Sequence, residues 1–513
     1  MAGRAGIEPD DTGSDVISAF LRSRSGIAVL LLTGAGAALR FATLGQQSYW
    51  YDEAVTANLV DGSLGDLLSG IVDTESTPPL YYLLAWLWAH LFGSDEATLR
   101  ALSAVLGTLV VPVAFAAGRV VTTARIGVAA AAVATVSPML IWYSQEARGY
   151  ALLVLLCGLS FVCFARARNE PSGERLAAWA VVSALAIATA YFAAFVVVAE
   201  ALLLLLAHRR LHRLWWALGA IALVAACLFP LAAVQASHRR LGWVGGIDLG
   251  ERFGEALQRL VTAAQPSSWA GATGTDVTPY GWVGALLVLL LATGFLIARA
   301  SEPERAGALL AGFVAALGVG LPAVMALAAD AVTNGDGDYF LDRNVLGAWV
   351  PLAVFVAAGL AARRAGILGL ACIAGVVCWS LVVHVWIVTT PAFQRDDWRA
   401  VADALPNDHV VVVVHPAYQS VALVRQRPDL VDQVGTDPTD TIVLVLPGST
   451  EPPESFLLPE GFHGMGRHEI QHFAILEFEA RDRAMVGPAD VARGSLRDAD
   501  LAVLAPASPS TGS

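Results

Sequence analysis

The chain has 513 residues, 56% of them hydrophobic and 15% charged, with a mean hydropathy of +0.61. An ordinary soluble protein carries about 25% charge, which argues against a soluble multidomain enzyme. All 32 basic residues are arginines, and the net charge of −12 excludes a nucleic-acid binder that relies on bulk phosphate neutralisation.

The five cysteines, Cys157, Cys163, Cys227, Cys372 and Cys378, lie in apolar runs. They offer neither a disulfide framework nor a CxxC metal site, and they read as small buried hydrophobes. Apolar runs that approach the roughly 20 residues of a membrane span begin near residues 27, 99, 126, 149, 176, 192, 214, 281, 306, 345 and 366. Arginines punctuate them at 22/24, 119/125, 166/168/175, 209/210/213, 299/305 and 363/364. Short arginine-rich loops stay cytoplasmic, so residues 1–25 form a cytoplasmic tail, and the alternate loops at 45–77, 144–148, around 191, 235–280 and 330–344 lie outside. The first run is expected to be an uncleaved anchor, because the later spans depend on its orientation.

The chain must pass from outside at residue 77 to inside at Arg119, which needs an odd number of crossings. Segment 78–93, opened by Pro78-Pro79 and short, is therefore expected to be an embedded or interfacial helix. That leaves about 11 spans and an external C-terminus. The run 176–207 reads as two short helices that turn near Tyr191. The membrane domain then covers 26–393, with a first external loop at 45–77 that holds two short helical stretches, 54–60 and 63–71.

From Gln394 the pattern becomes that of a small external α/β domain, expected over 394–486. A helix is predicted over Asp396–Leu405, and strands over 409–415, 441–446 and 472–479. This region carries most of the net negative charge. The Ala/Pro/Ser-rich tail 487–513 is expected to be disordered. His468-Glu-Ile-Gln-His472 fits the H-E-x-x-H zinc pattern, but the residues after it read as a strand, whereas the motif needs a helix. It is set aside as coincidence.

Chemistry concentrates in three external segments. Tyr49, Trp50 and Tyr51 read as interfacial anchors before Asp52 and Glu53; Asp52 could also simply cap the helix that follows. Tyr143-Ser-Gln-Glu-Ala-Arg-Gly-Tyr150 places Glu146 and Arg148 at the membrane edge, where ionisable groups tend to be functional. Asp336-Gly-Asp-Tyr-Phe-Leu-Asp-Arg-Asn344 adds Arg343, which either holds an anion or only neutralises Asp336, Asp338 and Asp342. Three such segments on one face suggest a site for an anionic lipid and a polar acceptor.

In order and spacing, Trp50-Tyr-Asp-Glu-Ala54, Ser76-Thr-Pro-Pro-Leu-Tyr-Tyr82, Leu99-Arg-Ala-Leu-Ser103 and Tyr143–Tyr150 resemble the polytopic C-type glycosyltransferases, specifically family 39. That family holds the protein O-mannosyltransferases and aminoarabinose transferases. Tyr339–Arg343 and Asp397-Trp-Arg399 fit as well, so the resemblance covers most of 27–400. Thr77 stands where the aminoarabinose transferases have Lys.

The resemblance implies an α-helical polytopic fold and an inverting transfer of sugar from a polyprenyl phosphate to an acceptor hydroxyl at the outer face of the plasma membrane. Asp52 would be the base and Glu53 would orient the acceptor. Arg343 and Arg148 would hold the phosphate through bidentate guanidinium contacts, with Glu146 and Tyr82 lining the substrate site. No cofactor is required, a divalent metal is not indicated, and the acceptor is a glycan, lipid or protein. The alternative is a secondary transporter or a flippase for lipid-linked glycans, but the repeated halves and charged midplane helices of transporters are not seen in this sequence.

Overall fold

A computed structural model describes residues 22–238, 242–262, 281–333, 338–432, 438–448 and 451–507. Asp336 lies outside them. Helix α1 (Arg24–Phe41) starts at Ser23, whose hydroxyl accepts the Gly26 amide at 3.1 Å. The first loop folds into α2 (Tyr51–Asp61) and α3 (Leu64–Thr74), the second opened by a capping box between Ser63 and Asp66. Then comes α4 (Leu80–Phe92), whose 13 residues span about 20 Å against a hydrocarbon core of about 30 Å. It is followed by α5 (Glu96–Val121), α6 (Ala124–Val136), α7 (Pro138–Ser144), α8 (Tyr150–Asn169), α9 (Gly173–Thr189) and α10 (Ala193–His208). Helices α11 (His212–Ser237), α12 (Leu249–Val261), α13 (Gly281–Arg299), α14 (Glu302–Thr333), α15 (Trp349–Leu360) and α16 (Gly366–Thr389) complete the helical part.

Each expected apolar run has its helix. Among the described residues 8 helices are long and apolar enough to cross a membrane, or 9 if the bent pair α6–α7 is one span. The pair α9 and α10, broken at residues 190–192, has only 17 and 16 residues.

The 57° bend between α6 and α7 falls at Ser137-Pro138, because proline has no amide to continue the ladder. The carbonyls freed there would be costly in an apolar surrounding. Arg40, fully buried in the last turn of α1, takes them up. It donates to Ala134 O and Thr135 O at 3.0 and 3.2 Å, and to Ser144 Oγ at 3.2 Å. Helices α5 and α6 cross where a Cβ on Gly118 would stand 2.7 Å from the Gly127 Cα, a small-residue contact that lets the backbones meet.

The α/β unit starts with α17 (Trp398–Ala404), capped by Asp397, and continues with β1 (Val410–Val414), α18 (Ser420–Gln426), β2 (Leu430–Val431), β3 (Thr439–Pro447), β4 (Phe462–Ile470), β5 (Phe473–Ala484) and β6 (Ala502–Pro506). The sheet order is β2-β6-β1-β3-β5-β4; β1 and β3 are parallel and the other pairings antiparallel.

Two expectations are corrected here. The tail was expected to be disordered from 487, yet β6 lies inside the sheet beside β1, and Leu501, Val503 and Leu504 are buried. Their apolar side chains outweigh the disorder-prone Ala/Pro/Ser composition; residues 508–513 lie outside the described residues. Strand β4 was not expected, because Gly464, Gly466 and its charged residues hide the alternation. His468 lies in β4 and His472 in the turn after it, 3.7 Å from Glu477 and 3.2 Å from Asp396 respectively. The two imidazoles therefore do not share a helix face.

The α/β unit docks on the first loop. Arg425 pairs with Asp61 and donates to Ser94 Oγ at 3.1 Å, Gln426 donates to Glu96 at 3.0 Å, and Tyr418 meets Tyr51 edge-on at 4.8 Å. Single cysteines at Asp73 and Glu454, both exposed, should therefore show the same accessibility to an impermeant maleimide in intact cells. Opposite accessibility of the two would contradict the docking.

Candidate active site

Trp50 holds the cap position of α2, so Asp52 sits in the first turn rather than capping it. Carboxylates favour that turn because its amides are unsatisfied. Asp52 is half-buried, and its carboxylate makes no hydrogen bond or ion pair among the described residues. Its charge acts on Glu146, Arg148, Tyr150 and Arg343. These residues come from loops far apart in sequence.

Glu53 does not face an acceptor. It is fully buried and forked onto Arg100, whose Nε and Nη2 donate to its two oxygens at 2.7 and 2.5 Å, and the Ala147 amide donates at 2.8 Å. Burial pushes its carboxyl up, but Arg100 more than offsets this and holds it below the usual carboxylate range. Glu53 thus fastens α2 to α5 and to the 145–149 loop, a positioning role in place of the expected contact with substrate.

Arg148 and Tyr82 are corrected in the same way. The Arg148 guanidinium is forked onto Glu75 at 2.7 and 2.8 Å and lies over the Tyr82 ring. The Tyr82 hydroxyl donates to Glu75 at 2.6 Å and meets Thr77 Oγ1 at 3.0 Å. All three are buried. A guanidinium already held by a carboxylate fork is not free to clamp a phosphate.

Arg343 comes out differently. The neighbours it was suspected of neutralising have other partners: Asp338 is forked by Arg252 at 3.0 and 2.6 Å, and Asp342 pairs with Arg259 at 2.7 Å and accepts from Tyr143 at 3.2 Å. Among the described residues the Arg343 side chain makes no hydrogen bond or ion pair; the charges acting on it come from Asp52, Asp342 and the tyrosines 143 and 150. The structure thus sets a half-buried cation within the electrostatic reach of a half-buried carboxylate.

Glu146 is buried, and burial pushes its carboxyl up to about 7. The Arg395 charge pulls it down, while Glu53 and Asp52 push it further up. Arg395, at the entry to the α/β unit, donates to Glu146 Oε2 at 3.2 Å and stacks on Trp142 with 4.1 Å to the ring centroid. Sequence reasoning missed Glu75, Arg100, Arg252, Arg259 and Arg395. Only Arg100 stood inside a quoted motif, and no signal there marked its partner.

The structure is similar to that of ArnT from Cupriavidus metallidurans bound to undecaprenyl phosphate, with 13% identity and a TM-score of 0.51 over 89% of this chain and 98% of that one. The apo form of that protein is matched over the same shares at 14% identity and a TM-score of 0.42. The oligosaccharyltransferase AglB from Archaeoglobus fulgidus is matched at 12% identity and a TM-score of 0.43 over 76% of this chain and 59% of that one. No curated protein matches the chain in sequence.

The fold is that of the C-type glycosyltransferases. Residues 76–233 match the family described as dolichyl-phosphate-mannose-protein mannosyltransferase.

Removing the Glu53 charge would leave Arg100 buried and uncompensated, which costs about 3–5 kcal/mol. Glu53→Gln should therefore lower unfolding stability in mixed micelles by that order. A variant as stable as the parent would show that the fork does not hold the loop.

Proposed function

We propose that the protein moves a sugar from a polyprenyl-phosphate donor to an acceptor hydroxyl at the outer face of the membrane, with inversion and with Asp52 as base. The observation that carries the reading is the pair of charges left over. Around them Glu53, Glu75, Asp338 and Asp342 each have an arginine, while among the described residues Asp52 and Arg343 have no ion-pair partner.

Asp52 would take the proton of the acceptor hydroxyl. The oxygen would then attack the anomeric carbon from the face opposite the phosphate. The bond from that carbon to the phosphate oxygen breaks, and the electron pair leaves on polyprenyl phosphate. A phosphate leaving group needs no general acid, so a base and a cation suffice.

Arg343 would bind the phosphate, as a guanidinium binds two oxygens at once. The bound undecaprenyl phosphate in the similar ArnT structure supports a lipid phosphate as donor. The arginine alternation supports the outer face, with residues 26–393 as the membrane domain and the α/β unit outside beside Asp52.

Protein in nanodiscs, given polyprenyl phosphates carrying labelled mannose or arabinose together with cell-envelope acceptors, should release polyprenyl phosphate and glycosylate an acceptor. Asp52→Asn should slow turnover by about 10²–10⁴ while the protein stays folded. Near-normal turnover would remove Asp52 from the role of base.

Arg343→Lys keeps the charge and loses the fork, so the donor KM should rise about tenfold, the worth of one charge-assisted hydrogen bond. An unchanged donor KM and kcat would return Arg343 to a structural role.

A further inference from the structure

Five buried carboxylates surround the leftover charges, and three are held in two-bond forks: Glu53 by Arg100, Glu75 by Arg148 and Asp338 by Arg252. Asp342 pairs with Arg259 at 2.7 Å and also accepts from Tyr143 at 3.2 Å. The fifth, Glu146, has one bond to its arginine, from Arg395 Nη2 at 3.2 Å. Among the described residues, Glu146 Oε1 and Arg395 Nε are both buried and carry no hydrogen bond. The pair thus keeps one free acceptor and one free donor next to Asp52, a combination that a single hydroxyl group satisfies by donating to one and accepting from the other.

The two halves of this pair belong to different parts of the molecule. Glu146 is in the loop between α7 and α8, fixed through the neighbouring Ala147 amide to Glu53. Arg395 is in the link between α16 and α17, and its backbone is stitched to the first loop. Its amide donates to Gln47 Oε1 at 2.9 Å, Ser48 Oγ donates to the carbonyl of Asp396 at 3.1 Å, and the Asp396 side chain meets His472 of the sheet at 3.2 Å. Further out, Arg425 and Arg399 latch the α/β unit to Asp61 and Glu96. The guanidinium reaches Glu146 across the Trp142 ring, also donating to the Trp142 carbonyl at 3.2 Å.

We propose that Arg395 is the positioning residue of Glu146 and that docking of the α/β unit completes, beside Asp52, a subsite for a sugar hydroxyl made of Glu146 and Arg395. The sugar is taken from the transferase reading; the docking and the pair do not depend on it. With Arg395 displaced, Glu146 loses its cation and faces the carboxylates of Asp52 and Glu53 and the tyrosines 81, 143 and 150. It then holds its proton more tightly, since a cation nearby favours the charged form and burial disfavours it.

The sign of the test follows from this. Infrared titration of the purified full chain without substrate should show a carboxyl carbonyl band, absent in Glu146→Gln, that is lost as pH rises through about 7. In Arg395→Met the midpoint should rise by about one to three pH units. Loosening the distant latch with Arg425→Ala and Arg399→Ala touches neither member of the pair and should move the midpoint in the same direction by a smaller step. This also serves as the test should Arg395→Met fail to fold.

An unmoved midpoint in a folded Arg395→Met variant would overturn the positioning role, and an unmoved midpoint in the latch variant would overturn the dependence on docking. Because no sugar donor enters the measurement, a failed transferase assay leaves these outcomes readable. Once a donor turns over, Arg395→Met should raise a substrate KM and shift the pH profile of kcat. A fall in kcat with KM and profile unchanged would overturn the hydroxyl subsite.

Discussion

Arg100 is the joint on which the first loop turns. A guanidinium has five N–H donors, and buried ones must all be satisfied. Arg100 gives two to the Glu53 carboxylate, at 2.7 and 2.5 Å, and the other three to the carbonyls of Leu44, Gln47 and Ser48, at 2.9, 2.6 and 2.9 Å. The chain leaving α1 is thereby wrapped around a side chain of α5, and α2 is pinned to the same point by its second acidic residue. The direction in which Asp52 projects is a consequence of this wrapping. Glu53 serves the site by holding Arg100 and the Ala147 amide.

The remaining forks extend the logic. Burying a carboxylate is expensive unless an arginine meets it in good geometry, and removing either partner is worse than never having buried the pair. The loops around the site are therefore held at their charged residues, with Glu75 fixing the approach to α4, Arg148 the start of α8, and Arg252 the segment before α15. Each fork cancels one unit of charge. Among the described residues, what survives the cancellation is a carboxylate on α2 and a guanidinium on the segment before α15, in a setting where water screens them poorly. Charges preorganised in this way act on a substrate without having to reorient during the reaction.

Much of this frame was legible in the sequence. The apolar runs, the two helices of the first loop, the short α4 and the turn near Tyr191 follow from periodicity and proline placement. Asp52 and Arg343 stood out by position. What sequence could not separate was a charged residue that is free from one already committed. Glu53 and Asp52 are adjacent and chemically alike, yet the partner of Glu53 lies 47 residues away; that of Glu146 lies 249 residues on. Arg148 read as a phosphate ligand because Glu75, just before the noted Ser76-Thr77 segment, carried no mark of its own. The bend at Ser137 and strand β6 were missed because a local proline and an Ala/Pro/Ser composition have opposite meanings in different tertiary settings.

The site is held with unequal firmness on its two sides. Toward the helices it rests on buried forks, which do not open without exposing a charge to an apolar surrounding. Toward the α/β unit it rests on Arg425 with Asp61, Arg399 with Glu96 and the edge contact of Tyr418 with Tyr51. These ion pairs are partly exposed and contribute about 1 kcal/mol or less each. The least costly opening of the site separates the α/β unit from α2. Arg395 sits at that seam: its amide is bonded to Gln47 of the first loop, and the next residue, Asp396, meets His472 of the sheet. On the proposal above, a shift of Asp396 with the sheet would loosen the cation beside Glu146 as the α/β unit moves.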